Sequence, residues 1–103
     1  MVDISVYDDF LREFVLTMGK VQIVKAAEEM AEFSAALLKH YIEGTDRSFD
    51  RLLEEYADAV IMIRQMEILL GIDRYGKSGI DLAVARLKDR ARRIEEGVCD
   101  ERR

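Results

Sequence analysis

Residues 21–43 read VQIVKAAEEMAEFSAALLKHYIE, with neither glycine nor proline, and Gly44 follows at once. Ile23, Ala26, Ala27, Met30, Phe33, Ser34, Leu37 and Tyr41 recur at steps of three and four, the period of one helix face, and predict a broad buried stripe. Ala31 and Ala35 make the far side small as well. Only a narrow polar strip remains, carrying Lys25, Glu28, Glu29, Glu32, Lys39, His40 and Glu43. An alanine-lined helix with one ribbon of charge suits burial in a bundle.

Working outward, Gly44-Thr45-Asp46-Arg47-Ser48 is a short joint, so the next helix is an antiparallel neighbour. That helix is predicted to start after Ser48 as N-cap, with Asp50 in its first turn, and to run to Leu70 before Gly71. A preceding helix spans about Val6 to Met18, with Tyr7, Phe10, Leu11, Phe14 and Val15 as its apolar stripe and Gly19 as its stop. A fourth runs from about Ile80 to Glu96 and ends at Gly97, with a frayed tail at Val98–Arg103. With no proline and an apolar share of 50%, the expected fold is all-α, an antiparallel bundle of about four helices in a single domain, residues 1–103. At this length helices often complete their burial against another copy, so an oligomer is expected.

Two acidic pairs sit at helical spacing on the two central helices: Glu29-x-x-Glu32 and, after 22 intervening residues, Glu55-x-x-Asp58. Residues three apart share one side of a helix, and two packed helices can bring all four carboxylates together. Two carboxylates about 6 Å apart repel by roughly 3 kcal/mol at an effective dielectric near 20. Such company calls for a cation. Counted from the helix ends, the pairs are offset by about 7.5 Å, which predicts a staggered hairpin. Asp58 stands inside Ala57-Asp58-Ala59-Val60-Ile61-Met62-Ile63, among neighbours with the character of core, and an unpartnered buried aspartate is costly. The competing structural explanation is ion pairing with Arg51 or Lys25.

The missing residues narrow the metal. Ferritin-like di-iron bundles use Glu-x-x-His, whereas the one histidine, His40, has Leu37 three residues before it and reads as a surface or capping residue. Zinc is disfavoured by the lack of paired cysteine or histidine. An EF-hand loop is absent, since Asp73 is followed by Tyr75 and Lys77 where oxygen ligands belong. Mg²⁺, which combines a few carboxylates with water and substrate phosphate, fits the donor set.

At this point the residues carry a resemblance. Lys25-Ala-Ala-Glu-Glu-Met-Ala-Glu32 followed by Glu54-Glu-Tyr-Ala-Asp-Ala-Val60 resembles the MazG-like branch of the all-α nucleoside triphosphate pyrophosphohydrolases, over roughly residues 21–97. The resemblance implies an enzyme that uses Mg²⁺, with Mn²⁺ as a substitute, to hydrolyse a nucleoside triphosphate between its α- and β-phosphates. It implies subunits joined as a homodimer or homotetramer, Glu29, Glu32, Glu55 and Asp58 as metal-binding acids, and Glu29 or Glu32 as the group acting on water. Glu28 and Glu54 are adjacent acids of lower rank. A triphosphate also needs cations: Arg86, Arg90 and Arg93 share one face of the fourth helix, and Lys25 and Lys77 are further candidates for substrate binding. The bland alternative for these arginines is a solvated basic face.

Gly71-Ile-Asp-Arg-Tyr-Gly-Lys77-Ser78 matches the phosphate-loop pattern letter for letter. That loop works between a buried strand and a helix, and here a helical segment precedes it, so a helix stop and flexible connector is expected. The net charge of -5 argues against a nucleic-acid polymer as partner. Cys99, the one cysteine, cannot form an internal disulfide, and no basic-then-apolar leader or membrane-length apolar run is seen, so a cytoplasmic protein is expected. From a different functional class comes a rival, a non-catalytic helical interaction module whose acidic strip docks a basic partner; a purely structural bundle is the third alternative. The aromatics Phe10, Phe14, Phe33 and Tyr56 fall at helical spacing and read as core.

Overall fold

The computed structural model describes residues 1–97; Cys99 and the expected frayed tail lie outside them. A 3₁₀ turn, Ser5–Tyr7, leads into α1 (Asp8–Met18), followed by α2 (Val21–Glu43), α3 (Asp46–Leu70) and α4 (Asp73–Glu95), with no strand among the described residues. The chain is all-α. It divides into two compact units, one from Met1 to Gly71 and one from Ile72 onward.

In the first unit α2 packs along α3, and α1 packs mainly on α3. The Gln22 Nε2 amide donates to Gln65 Oε1 at 2.7 Å near one end of the α2–α3 pair, and His40 Nδ1 meets Ser48 Oγ at 2.7 Å near the other. One antiparallel register therefore holds along the hairpin. The turn is made by Gly44, whose φ of 61° is left-handed and whose amide donates to the His40 carbonyl at 2.7 Å. Thr45, not Ser48, is the N-cap of α3: its hydroxyl accepts from the Ser48 amide at 3.0 Å while the Thr45 amide donates to Ser48 Oγ at 3.1 Å, a capping box. This earlier start corrects the expected stagger. Glu32 is now 11 residues from the end of α2 at Glu43, and Glu55 is 9 from the start of α3 at Asp46, an offset of about 3 Å.

Burial departs from the apolar stripes. The apolar core is small: Leu11, Val15, Ala26, Ala36, Ala59, Val60 and Met62. On α2 the face turned inward carries Gln22, Ala26, Glu29 and Ala36, whereas Ile23, Leu37 and Tyr41 of the expected stripe are exposed. Phe10 of α1 and Tyr7 of the turn before it, both in the expected stripe of the first helix, are exposed too. The cause is the alanine content of α2, which leaves apolar residues around most of its circumference, so the period alone cannot select the inward side.

α1 is tied to α3 by a two-pronged ion pair, in which Arg64 Nε and Nη2 donate to Asp8 Oδ1 and Oδ2 at 2.8 and 2.7 Å. Hydrogen bonds from Arg64 hold the Asp8 carboxyl below the usual range against the opposing effect of desolvation. Because the folded value is depressed, this stability is present above the ordinary carboxylate range and is lost as pH falls through the folded value. Asp8→Asn is therefore expected to lower the melting temperature by a few degrees at pH 7 and to converge on the wild type only as pH falls through the depressed folded value; identical melts at pH 7 would assign the pair no stabilising role.

In the second unit α4 begins at Asp73, not Ile80, and continues through Gly76 and Gly79. The segment that matches the phosphate-loop pattern is thus the brief break after α3, Gly71 and Ile72, and the first turns of α4, with no strand before it. None of the residues of α4 is buried. Arg92 is held by Asp89 and Glu96 at 2.8 and 3.0 Å. Among the described residues no helix is long and apolar enough to cross a membrane.

Candidate metal centre

Glu29 and Glu32 project from α2 one turn apart and meet Glu55 of α3, with one carboxylate oxygen of each lying within 4.8 Å of the others. The buried small residues Ala26, Ala36 and Ala59 keep side-chain bulk low between the two helices. Glu55 is 3% exposed and Glu29 8%, whereas Glu32 opens to solvent. Three of the four acids singled out by spacing are thus assembled by the fold.

The two cations offered as structural partners, Lys25 and Arg51, each pair with a glutamate of the trio, and neither pairs with Asp58. Lys25 Nζ lies 3.1 Å from Glu29 Oε1, and Arg51 Nη2 lies 2.7 Å from Glu55 Oε1. Each cation sits one turn before its glutamate, with its own side chain 51% or 61% exposed. Each satisfies one oxygen only. Glu29 Oε2 and Glu55 Oε2 are both buried with no hydrogen-bond partner. A buried acceptor left unsatisfied costs about 1–3 kcal/mol, and more when charged, so these two oxygens mark where a ligand is wanted.

The electrostatics agree. Burial pushes the Glu55 carboxyl above its usual range; Arg51 opposes this, while Glu32, Asp58 and Glu29 add to it. The Lys25 ammonium is raised by its hydrogen bond to Glu29 and by the charges of Glu29, Glu28 and Glu32. The centre is a concentration of negative charge that two rim cations only partly relieve. Its donors are all carboxylate oxygens, the set that suits a hard divalent ion such as Mg²⁺ or Mn²⁺.

Asp58 differs from its expectation of burial. It is exposed, as are Ala57 and Ile61, while Ala59, Val60 and Met62 are buried. The apolar run wraps the helix, and Glu55, Ala59 and Met62, at steps of four and three, form the inward face. Asp58 lies one turn along from Glu55 on the solvent side, outside the trio of acids but near enough for its charge to act on Glu55. The remaining substrate-binding candidates, Lys77, Arg86 and Arg90, all lie on α4 in the second unit, where Lys77 Nζ pairs with Asp81 at 3.3 Å. His40, half-buried in the last turn of α2, packs on Phe49 at 5.5 Å and bonds Ser48, a structural role.

Two residues that sequence reasoning passed over are Gln22 and Gln65, 5% and 4% exposed and joined across the helices. Their signal lay in the register: Gln22 precedes Glu29 by two turns, and Gln65 shares the inward face of α3 with Met62. No family model matches this chain, and neither a curated protein nor a solved structure does.

Proposed function

We propose that this protein is a Mg²⁺-dependent nucleoside triphosphate pyrophosphohydrolase that converts its substrate to the monophosphate and pyrophosphate. The observation that carries this reading is the trio Glu29, Glu32 and Glu55, with two buried carboxylate oxygens unpartnered beside two displaceable cations. The spacing of both acidic pairs, and the resemblance of residues 25–32 and 54–60 to the MazG-like family, point the same way.

Glu29 and Glu55, joined by Glu32 and by Asp58 at the solvent edge, would hold Mg²⁺ or Mn²⁺. A bound divalent ion supplies charge for the phosphate oxygens and the leaving pyrophosphate and lowers the pKa of an attacking water. Glu32 is exposed and has no salt bridge among the described residues, so it is the carboxylate free to orient that water or accept its proton. Lys25 and Arg51 are long, largely exposed side chains that can turn from carboxylate to phosphate oxygen.

Self-association as a homodimer or homotetramer belongs to the proposal. Phe10, Leu38, Tyr41, Leu53 and Leu87 are all at least half exposed in the single chain, more large apolar surface than a lone small domain ordinarily leaves in water.

The test is a panel of ribo- and deoxynucleoside triphosphates assayed for pyrophosphate release with and without Mg²⁺. Release that requires Mg²⁺ is expected with at least one member. Intact nucleotides throughout, with no metal-dependent thermal shift, would leave the non-catalytic interaction module as the better account. Light scattering that returned only the 11.9 kDa chain would remove the self-association.

A further inference from the structure

Beside the carboxylate trio, α1, α2 and α3 enclose an open groove of about 490 Å³. Phe14, Met18 and Met62 contribute apolar surface, Gln22 and Gln65 buried amides, and Lys25 and Glu28 charged groups. That lysine is the one paired with Glu29. The groove and the candidate metal centre thus adjoin at Lys25, and all the residues of both belong to the first unit.

We propose that this groove is the nucleobase subsite of the enzyme, a conclusion that rests on the pyrophosphohydrolase reading. Three features choose a planar heteroaromatic ring over a plain apolar group. Phe14 offers a partly open ring face, 36% exposed, for stacking. The amide pair is only half used: with Gln22 Nε2 given to Gln65 Oε1, Gln22 Oε1 is left as an acceptor and Gln65 Nε2 bonds only the weak acceptor Met62 Sδ at 3.5 Å. An acceptor beside a donor is what the hydrogen-bonding edge of a base requires, whereas an alkyl group would leave both idle.

Reach is the third feature. Gln22 precedes Glu29 by seven residues on α2, which is about 10 Å along the axis, comparable to the span from a metal-bound phosphate to the base of an extended nucleotide. Lys25 falls between them, at the level of the sugar and first phosphate. The base would lie toward Gln22 and Gln65 and the phosphates toward Glu29, Glu32 and Glu55, so the substrate has one direction along the helix pair.

Binding of two probes to the Mn²⁺-loaded full chain, an α,β-imido nucleoside triphosphate and inorganic tripolyphosphate, separates the groove from the metal centre. Both carry the polyphosphate; only one carries a base. Phe14→Ala is expected to weaken the imido nucleotide roughly tenfold while leaving tripolyphosphate within about twofold, the size expected for one lost stacking contact. The double variant Gln22→Leu/Gln65→Leu removes both amides together and so leaves no orphan in the helix pair; it should show the same selective loss. Nucleotide affinities unchanged in both variants, or both probes weakened in parallel, overturn the groove assignment and leave the enzyme reading intact. Failure of either probe to bind the Mn²⁺-loaded wild type brings down the enzyme reading and the base subsite with it.

Discussion

Glu55→Ala is expected to abolish the proposed Mg²⁺-dependent pyrophosphate release, lowering kcat by about 10³-fold or more, the equivalent of a few kcal/mol of lost charge stabilisation. The size of the effect follows from position. Glu55 is the most buried of the acids and the only member of the trio contributed by α3. Its loss leaves Glu29 and Glu32, both on α2, with no opposing carboxylate at the centre. Extra metal ion should not restore turnover, because the acid of the α3 pair that remains, Asp58, lies on the solvent side of the centre. Asp58→Ala is also expected to remove activity at ordinary Mg²⁺ concentrations, for a different reason. Asp58 is exposed at the edge of the centre, so water can replace its oxygen, and high Mn²⁺ should recover part of the rate. Circular dichroism of both variants should match the wild type. Turnover within about twofold of wild type in Glu55→Ala, far short of the loss expected for a removed ligand, would falsify the metal-centre assignment.

The same contrast shows what the sequence could reveal. α2 was legible to its ends, Val21 and Glu43, because an unbroken helical period stops at a glycine suited to a left-handed turn. The start of α3 was misplaced by three residues because Thr45 and Ser48 are both good caps, and the capping box employs both. α4 was begun too late because Gly76 and Gly79 each disfavour a helix by about 1 kcal/mol, and the helix nevertheless runs through them. For the site, spacing alone brought Glu29, Glu32 and Glu55 into view. Which acid is buried was not legible: Asp58 has the more apolar neighbours in sequence, but Glu55 shares the inward face with Ala59 and Met62. Burial on a helix is decided by angle, and a run of apolar residues covers every angle. The amides of Gln22 and Gln65 were equally hidden, since their meaning depends on a register that only the packed hairpin supplies.

Saturating Mn²⁺ or Mg²⁺ is expected to raise the melting temperature of the wild type by about 10–20 °C, since an ion at 100 times its dissociation constant adds about 2.7 kcal/mol to a domain of this size. Glu55→Gln and Glu29→Gln lose most of that shift. The pH dependence distinguishes a metal site from a mere acidic patch. The Glu55 carboxyl is raised above its ordinary value, chiefly by burial, so the folded chain holds that proton more tightly than the unfolded chain. Without metal, its ionisation therefore costs stability as pH rises from the ordinary carboxylate range through the raised folded value. Measured as wild type minus Glu55→Gln, metal-free melts should fall across this window, and at pH 7 the variant should match or exceed the wild type. With Mn²⁺ the sign reverses: protons compete with the ion for the same oxygens, so the metal-induced shift grows as pH rises. Opposite slopes for metal-free and metal-loaded protein, both removed by the one substitution, are the signature of an ion held at Glu55; parallel slopes would place any bound ion elsewhere.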